Sequence, residues 1–180
     1  MVTRTDGSAV GLQLYSLPVL AQPGSVMVLA TGGFRGGGVT GELLANDLAE
    51  AGVAGLITDG LIRDREAIAQ SAMPVIATGS IPLNGARRFS LNDHGVPVIM
   101  PGPEGAQVRI CPDDIVLADA DGVVVIPKAA APQILEMAET LAAKEYELKT
   151  APAQTPEARA KARAGRMSHM VWLRQPEGKQ

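Results

Sequence analysis

Two short segments hold side chains that could act together on a small anion. Gly41-Glu42-Leu43-Leu44 stands at the head of an apolar-periodic stretch, and Arg63-Asp64 follows after the twenty residues that separate Glu42 from Arg63. The first amides of a helix have no partner inside the helix and sit at its positive end, so they bind a carboxylate. The Arg63 guanidinium offers a planar fork for a carboxylate or an enolate oxygen. Asp64 beside it can hold a divalent cation, directly or through water, and Glu42 adds a second carboxylate. Hard cations with carboxylate and water ligands point to Mg2+ or Mn2+ rather than zinc. An anion pocket, an arginine and a metal are what a 2-oxo acid needs if negative charge is to build on its carbonyl oxygen. Each piece also has an ordinary structural reading. A glutamate in a helix's first turn serves the dipole, an Arg-Asp pair is usually solvated surface, and Asp59-Gly60 reads as a strand-ending turn.

The elements that must position these groups follow from apolar patterning. Val26–Ala30 is a short apolar run bounded by Pro23-Gly24 and glycines, which predicts a buried strand. Residues 31–41, TGGFRGGGVTG, are too glycine-rich for a helix or strand interior. In GELLANDLAEAG, Leu43, Leu44 and Leu48 fall at helical spacing, with Thr40 placed to cap the start and Gly52 to end it. A second strand is expected over Val53–Thr58, a short helix around Arg65–Ser71, and a third strand in PVIATG. Glu42 and Arg63-Asp64 then lie past the carboxyl ends of neighbouring strands, where open α/β sheets bind ligands. In the second half, Val96–Met100, Ala106–Ile110, Ile115–Ala118 and Val123–Ile126 are short strands divided by Pro101-Gly102, Pro112-Asp113-Asp114 and Asp121-Gly122. Such close spacing predicts antiparallel or mixed pairing. Pro132–Leu148 is expected to be a helix with Ile134, Ala138, Leu141 and Ala142 on one face. The architecture is α/β, layered, with a mixed sheet and a single domain over residues 1–148. Residues 149–180 read as a C-terminal extension, partly helical at 156–165, in which Met170, Val171, Trp172 and Leu173 could dock on a neighbouring subunit.

Bulk properties narrow the function. In 180 residues, 46% are apolar but only 3% aromatic, so the core is built from Ala, Val, Leu and Ile. A formal net charge of −3 gives no basic surface for nucleic acid or an anionic membrane. No apolar run is long enough for a membrane span, and the first residues make a poor signal peptide. The one cysteine, Cys111, fits a reducing cytoplasm and reads as packing rather than as a nucleophile. His94, in the loop NDHGVPV, is a candidate acid or base and, more simply, a surface histidine; His169 lies in the extension.

The stretch GELLANDLAEAGVAGLITDGLIRD resembles the signature of RraA-like proteins, a family that includes class II 4-hydroxy-4-methyl-2-oxoglutarate and 4-carboxy-4-hydroxy-2-oxoadipate aldolases. AQPGSVMVLATGG at 21–33, PVIATGSIP at 74–82 and PDDIVLADADGVVVIP at 112–127 extend the resemblance over residues 21–148. It implies a swivelling β/β/α domain. It also implies a lyase that cleaves 4-hydroxy-2-oxo acids to pyruvate through a metal-stabilised enolate, with oxaloacetate decarboxylase activity at the same site. By position, Arg63 would bind the carbonyl or enolate oxygen, and Asp64 would bind Mg2+ (or Mn2+). Glu42 would hold metal-bound water, and the Leu43 and Leu44 amides after Gly41 would hold the substrate carboxylate. Similar proteins form homotrimers or hexamers with sites between subunits. This chain departs from the pattern in having Glu42 where Asp is common and Ala67, beside Glu66, where some members carry an acid. Its segment before AQPG is shorter, so part of the pocket wall or of the subunit interface is expected to be lacking. The arginine-rich stretch at 159–166 is foreign to the pattern.

Two other readings compete. The founding RraA-type members bind and inhibit a ribonuclease without doing chemistry; Asp64 after the arginine favours the enzyme. A strand, a glycine loop and a helix also imitate a dinucleotide- or S-adenosylmethionine-binding unit, but with Gly33 and Gly36 in place of the second and third glycines the first position is Thr31.

Overall fold

Short apolar runs broken by glycine and proline give strands of two to four residues and few long elements. The computed structural model describes residues 2–4, 14–85, 88–150 and 155–165. In chain order these form β1 (Val2–Arg4), a helical turn at Leu14–Ser16, α1 (Leu17–Leu20), β2 (Val26–Leu29), β3 (Gly38–Thr40), α2 (Glu42–Glu50), β4 (Gly55–Thr58), β5 (Leu61–Ile62), α3 (Arg65–Ala69), β6 (Val75–Ile76), β7 (Phe89–Leu91), β8 (Val98–Pro101), β9 (Gln107–Ile110), β10 (Ile115–Ala118), β11 (Val123–Ile126), α4 (Ala131–Thr150) and α5 (Pro156–Gly165). By its contacts the chain divides into two units, Met1–Lys128 and Ala129–Gln180.

In the first unit β2, β4 and β6 pair in parallel in the order β2-β4-β6, and β3 pairs in parallel with β5. β8–β9 and β10–β11 are antiparallel hairpins, and β1 pairs antiparallel with β7. The mixed α/β character expected from the two unlike halves of the sequence is therefore present. β4 is buried along its whole length, and its residues divide between two cores, as strands covered on both faces do. Leu56 joins the cluster that takes Leu44, Ala45 and Leu48 of α2, together with Val39, Ile62 and Met73. Ile57 joins the other, with Met100 and Ile110 and the half-buried valines of the hairpins.

α2 ends as its glycine predicts. Gly52 takes φ 83°, its N–H donates to Ala49 O at 2.9 Å, and Val53 N–H donates to Leu48 O at 3.0 Å. This is the paired closure of a left-handed C-terminal cap. Its start differs from expectation. The cap position is Gly41, and the Thr40 hydroxyl donates to Gly41 O at 3.3 Å instead of reaching into the helix. The glycine loop also differs, because residues 38–40 are strand. Glycine lacks the side chain that marks a strand by pattern, so periodicity passes over β3.

In the second unit α4 runs from Ala131 to Thr150 and α5 from Pro156 to Gly165, matching the helices expected there. On α4, Ile134 is half-buried while Ala138, Leu141 and Ala142 are exposed. Met170–Leu173 and His169 lie outside the described residues.

Candidate active site

The two short strands that escape the sequence pattern are the ones that carry the candidate site. β3 leads directly into Gly41 and α2, and its parallel neighbour β5 leads directly into Arg63 and Asp64. The Arg63 N–H donates to Thr40 O at 2.8 Å, which ties the two strand ends together. The site thus sits at carboxyl ends of parallel strands, as expected, but on β3 and β5 and not on the strands formed by Val26–Leu29 and Gly55–Thr58.

Asp64 turns the chain toward the helix. Its backbone has φ 54° and ψ 40°, a left-handed conformation uncommon outside glycine. It stands at the cap position of α3 without capping it. Its carboxylate reaches across instead, and the Glu42 N–H donates to Asp64 Oδ2 at 3.2 Å. An acid from another segment thereby fills the place expected of Thr40, with the sign that suits the helix's positive end. Arg63 Nη2 lies 3.6 Å from Asp64 Oδ2, and the two side chains are 30% and 40% exposed. This is a partly solvated pair with little stabilising value of its own.

The glycines beneath this pair are there for space. A Cβ on Gly41 would stand 2.6 Å from Asp64 Oδ2 and 3.2 Å from Arg63 Nη2. A Cβ on Gly38 would stand 2.7 Å from Arg63 Cγ. Gly41 has extended φ −138° and ψ −174°, which any residue can adopt, so sterics alone demand glycine there.

The expected residues do gather at one place. Glu42 is exposed in the first turn of α2. Leu44 is buried with Ala45 and Leu48, whereas Leu43 is 70% exposed. Leu43 therefore leaves the core face that its spacing suggested and stands at the edge of a cleft. That cleft is lined by the Gly38–Gly41 backbone, Leu43, Leu44, Arg63, Asn84, Leu14 and Tyr15. Its enclosed part is about 20 Å3, on the order of one water site.

His94 does not belong here. It is exposed and lines a separate cleft of about 520 Å3 that shares no lining residue with the first. Cys111 is half-buried, and its N–H donates to Asp114 Oδ2 at 2.8 Å.

Sequence reasoning missed the work of Asp59. This side chain is buried, with 4% exposure. It accepts the Thr31 N–H at 2.6 Å and the Thr31 hydroxyl at 2.8 Å on Oδ1, and the Gly33 N–H at 2.8 Å on Oδ2. Three donors satisfy a buried carboxylate that would otherwise be costly. Asp59 thereby fixes the start of the loop that becomes β3. Its only trace in the sequence is an acid at the end of an apolar strand opposite a glycine loop.

Among the described residues no group of three His, Cys, Asp or Glu is gathered closely enough to hold a metal. Glu42 and Asp64 are the carboxylates at the helix mouth. One or two carboxylates with water completing the shell suit Mg2+, which keeps several of its waters, and do not suit an all-protein zinc cage. The donor set fits Mg2+ or Mn2+ in that form.

Comparison with known proteins agrees with the motif. Residues 11–125 match the family model described as RraA-like: Aldolase/RraA. A Halalkalibacterium halodurans protein named "putative 4-hydroxy-4-methyl-2-oxoglutarate aldolase" is 30% identical over 118 residues, covering 66% of this chain and 53% of that protein. A protein of the same name from Ectopseudomonas mendocina is 35% identical over 106 residues, covering 59% of this chain and 62% of that one. The chain thus spans between half and two thirds of the length of these relatives. Among solved structures, Streptomyces coelicolor RraAS2, described as an unusual member of the RNase ES inhibitor RraA protein family, superposes with a TM-score of 0.70 at 28% identity. That match covers 82% of this chain and 72% of the other. With more than half its length inside the family model, the chain belongs to the RraA-like family, Aldolase/RraA.

Proposed function

We propose that this chain is a divalent-metal-dependent lyase that cleaves 4-hydroxy-2-oxo acids to pyruvate through an enolate and decarboxylates oxaloacetate at the same site. The observation that carries the reading is the meeting of Arg63 and Asp64 on the mouth of α2, within 3.2 Å and 2.6 Å of where a Gly41 Cβ would be. The aldolase names of relatives at 30% and 35% identity support the same chemistry.

In this reading the Leu43 and Leu44 amides hold the substrate carboxylate, and Arg63 faces the C2 carbonyl oxygen. The C3–C4 bond breaks and its electron pair moves into the enolate of C2 and C3. The C4 hydroxyl gives up its proton as C4 becomes a carbonyl, and C3 later takes a proton to give pyruvate. Arg63 stabilises the oxygen on which charge appears, which is where a fixed cation lowers the barrier most. Glu42 is placed to hold an ordered water that can carry the hydroxyl proton. Asp64 and Glu42 would hold Mg2+ or Mn2+, whose contribution is Lewis-acid polarisation of the 2-oxo group. Oxaloacetate loses CO2 through the same enolate. The active species is a homotrimer or hexamer in the cytoplasm.

The test is pyruvate release from oxaloacetate with and without Mg2+, alongside a size measurement. Metal-dependent release that is lost in Arg63→Ala and Asp64→Ala, both still folded, is the expected result. Near wild-type turnover in either variant refutes the mechanism. The likeness to Streptomyces coelicolor RraAS2 favours one second reading, a non-catalytic regulator that binds a ribonuclease. A chain that releases no pyruvate but binds a ribonuclease would establish it.

A further inference from the structure

The cleft at the start of α2 has two unlike parts. Its floor is polar, formed by the helix mouth and Arg63, and its enclosed volume of about 20 Å3 takes only the head of a 2-oxo acid. Whatever is attached beyond C3 must therefore rest on the lip. That lip is apolar. Leu43 is 70% exposed there, and Tyr15, from the helical turn at Leu14–Ser16, is 50% exposed. Neither belongs to the adjoining core cluster, which takes Leu14 and Leu44, their chain neighbours. Among the described residues the lining contains one cationic side chain, Arg63, and Asp64 already lies 3.6 Å from it. Glu42, exposed beside Leu43, adds negative charge to the same edge.

We infer that Tyr15 and Leu43 select the part of the substrate beyond C3, favouring 4-hydroxy-2-oxo acids with a neutral, apolar C4 substituent over those with a second carboxylate. The inference rests on the lyase reading, since it takes Arg63 and the helix mouth to hold the pyruvyl head. A methyl or larger apolar group at C4 covers leucine and tyrosine surface that water now meets. A carboxylate there gives up hydration against two apolar side chains and finds Glu42 and Asp64 nearby in place of a counter-ion. The distal carboxylate of oxaloacetate is a different case, because it departs as neutral CO2.

The experiment compares 4-hydroxy-2-oxopentanoate with 4-hydroxy-2-oxoglutarate, which differ only in a methyl for a carboxylate, using the full chain with Mg2+. The expected kcat/KM ratio favours the pentanoate by about 10-fold or more, the scale on which apolar contacts discriminate. Tyr15→Arg, which sets a second guanidinium on the lip, should move that ratio toward the glutarate by about 10-fold. Tyr15→Phe should leave the preference for the pentanoate in place. Exchange of the pyruvate methyl protons in D2O, followed by NMR, needs the enolate but no C4 group, so it reports the lyase reading and the fold of each variant separately. Exchange present with equal or reversed preference in the wild type overturns the selectivity inference and leaves the lyase reading standing. Exchange present with a ratio unmoved by Tyr15→Arg overturns the role of Tyr15. Absence of exchange in the wild type overturns both.

Discussion

Replacing Gly41 with alanine isolates the contact on which the site depends. The backbone at this position is ordinary extended chain, φ −138° and ψ −174°, so alanine brings no conformational strain. The new Cβ would start 2.6 Å from Asp64 Oδ2, whereas ordinary contact is roughly 3.5 Å, so the carboxylate must withdraw by roughly 0.9 Å. That withdrawal stretches the 3.2 Å bond from the Glu42 N–H to about 4 Å, beyond hydrogen-bonding range. Losing a helix cap costs about 1 kcal/mol, and the stiffer unfolded chain offsets about 0.4–1 kcal/mol of it. The net effect on stability is small, a fall in Tm of less than about 4 °C. The effect on turnover is not small, because a misplacement of about 1 Å in a catalytic group costs on the order of 100-fold. Paired measurements of thermal unfolding and pyruvate release from oxaloacetate should show the two responses separating. Activity within about threefold of wild type would refute the claim that Asp64 and Arg63 work from this position, on the scale set by that misplacement argument. A large loss of Tm would show that Gly41 is required by the fold instead.

Further outcomes follow from the same geometry. Oxalate, which mimics the pyruvate enolate in shape and charge, should bind the wild type in a calorimetric titration and bind Arg63→Ala at least about 10-fold more weakly, and equal affinity would remove Arg63 from the anion site. Stripping divalent ions with a chelator should abolish pyruvate release and restoring Mg2+ or Mn2+ should recover it, whereas full activity in the chelator would exclude the ion from the reaction. Asp59→Asn sets an amide donor against the Thr31 and Gly33 donors and should destabilise the fold by about 2–3 kcal/mol in denaturant unfolding; an unchanged midpoint would mean the loop does not depend on that carboxylate. Asp114 accepts N–H groups from Cys111 at 2.8 Å and Lys128 at 2.9 Å, which hold its carboxyl below the ordinary value of 3.8. Because the folded value is the lower one, its contribution to stability is complete above about pH 4 and is lost as pH falls through the folded value. Asp114→Asn should therefore flatten the acid end of the stability profile, and an unaltered acid slope would count against this assignment.

The site was legible in the sequence because its parts are close along the chain and their backbone context is simple. Glu42 opens a helix whose apolar face, Leu44, Ala45 and Leu48, is periodic, and Arg63-Asp64 follows a strand of apolar residues. What periodicity cannot show is a strand made of glycine, and so β3 went unseen although it sets the position of α2. Thr40 was a reasonable cap on local chemistry, yet a carboxylate 22 residues ahead of Glu42 takes the role, and no local rule finds a partner from another segment. Leu43 carried a core-like identity on a helix whose core face is full. Asp59 looked like a turn residue because its three donors lie 26 and 28 residues earlier in the chain.

The left-handed backbone at Asp64, φ 54°, also bears on how this chemistry can be lost in descent. Aspartate, asparagine and glycine occupy that region readily, and other side chains do so at a cost. One base change converts an aspartate codon to asparagine, which keeps an oxygen able to receive the helix amide while the negative charge disappears. A lineage can therefore discard the reaction in a single step and retain the folded scaffold for another use. Mutation toward a branched or bulky residue at the same codon removes scaffold and reaction together.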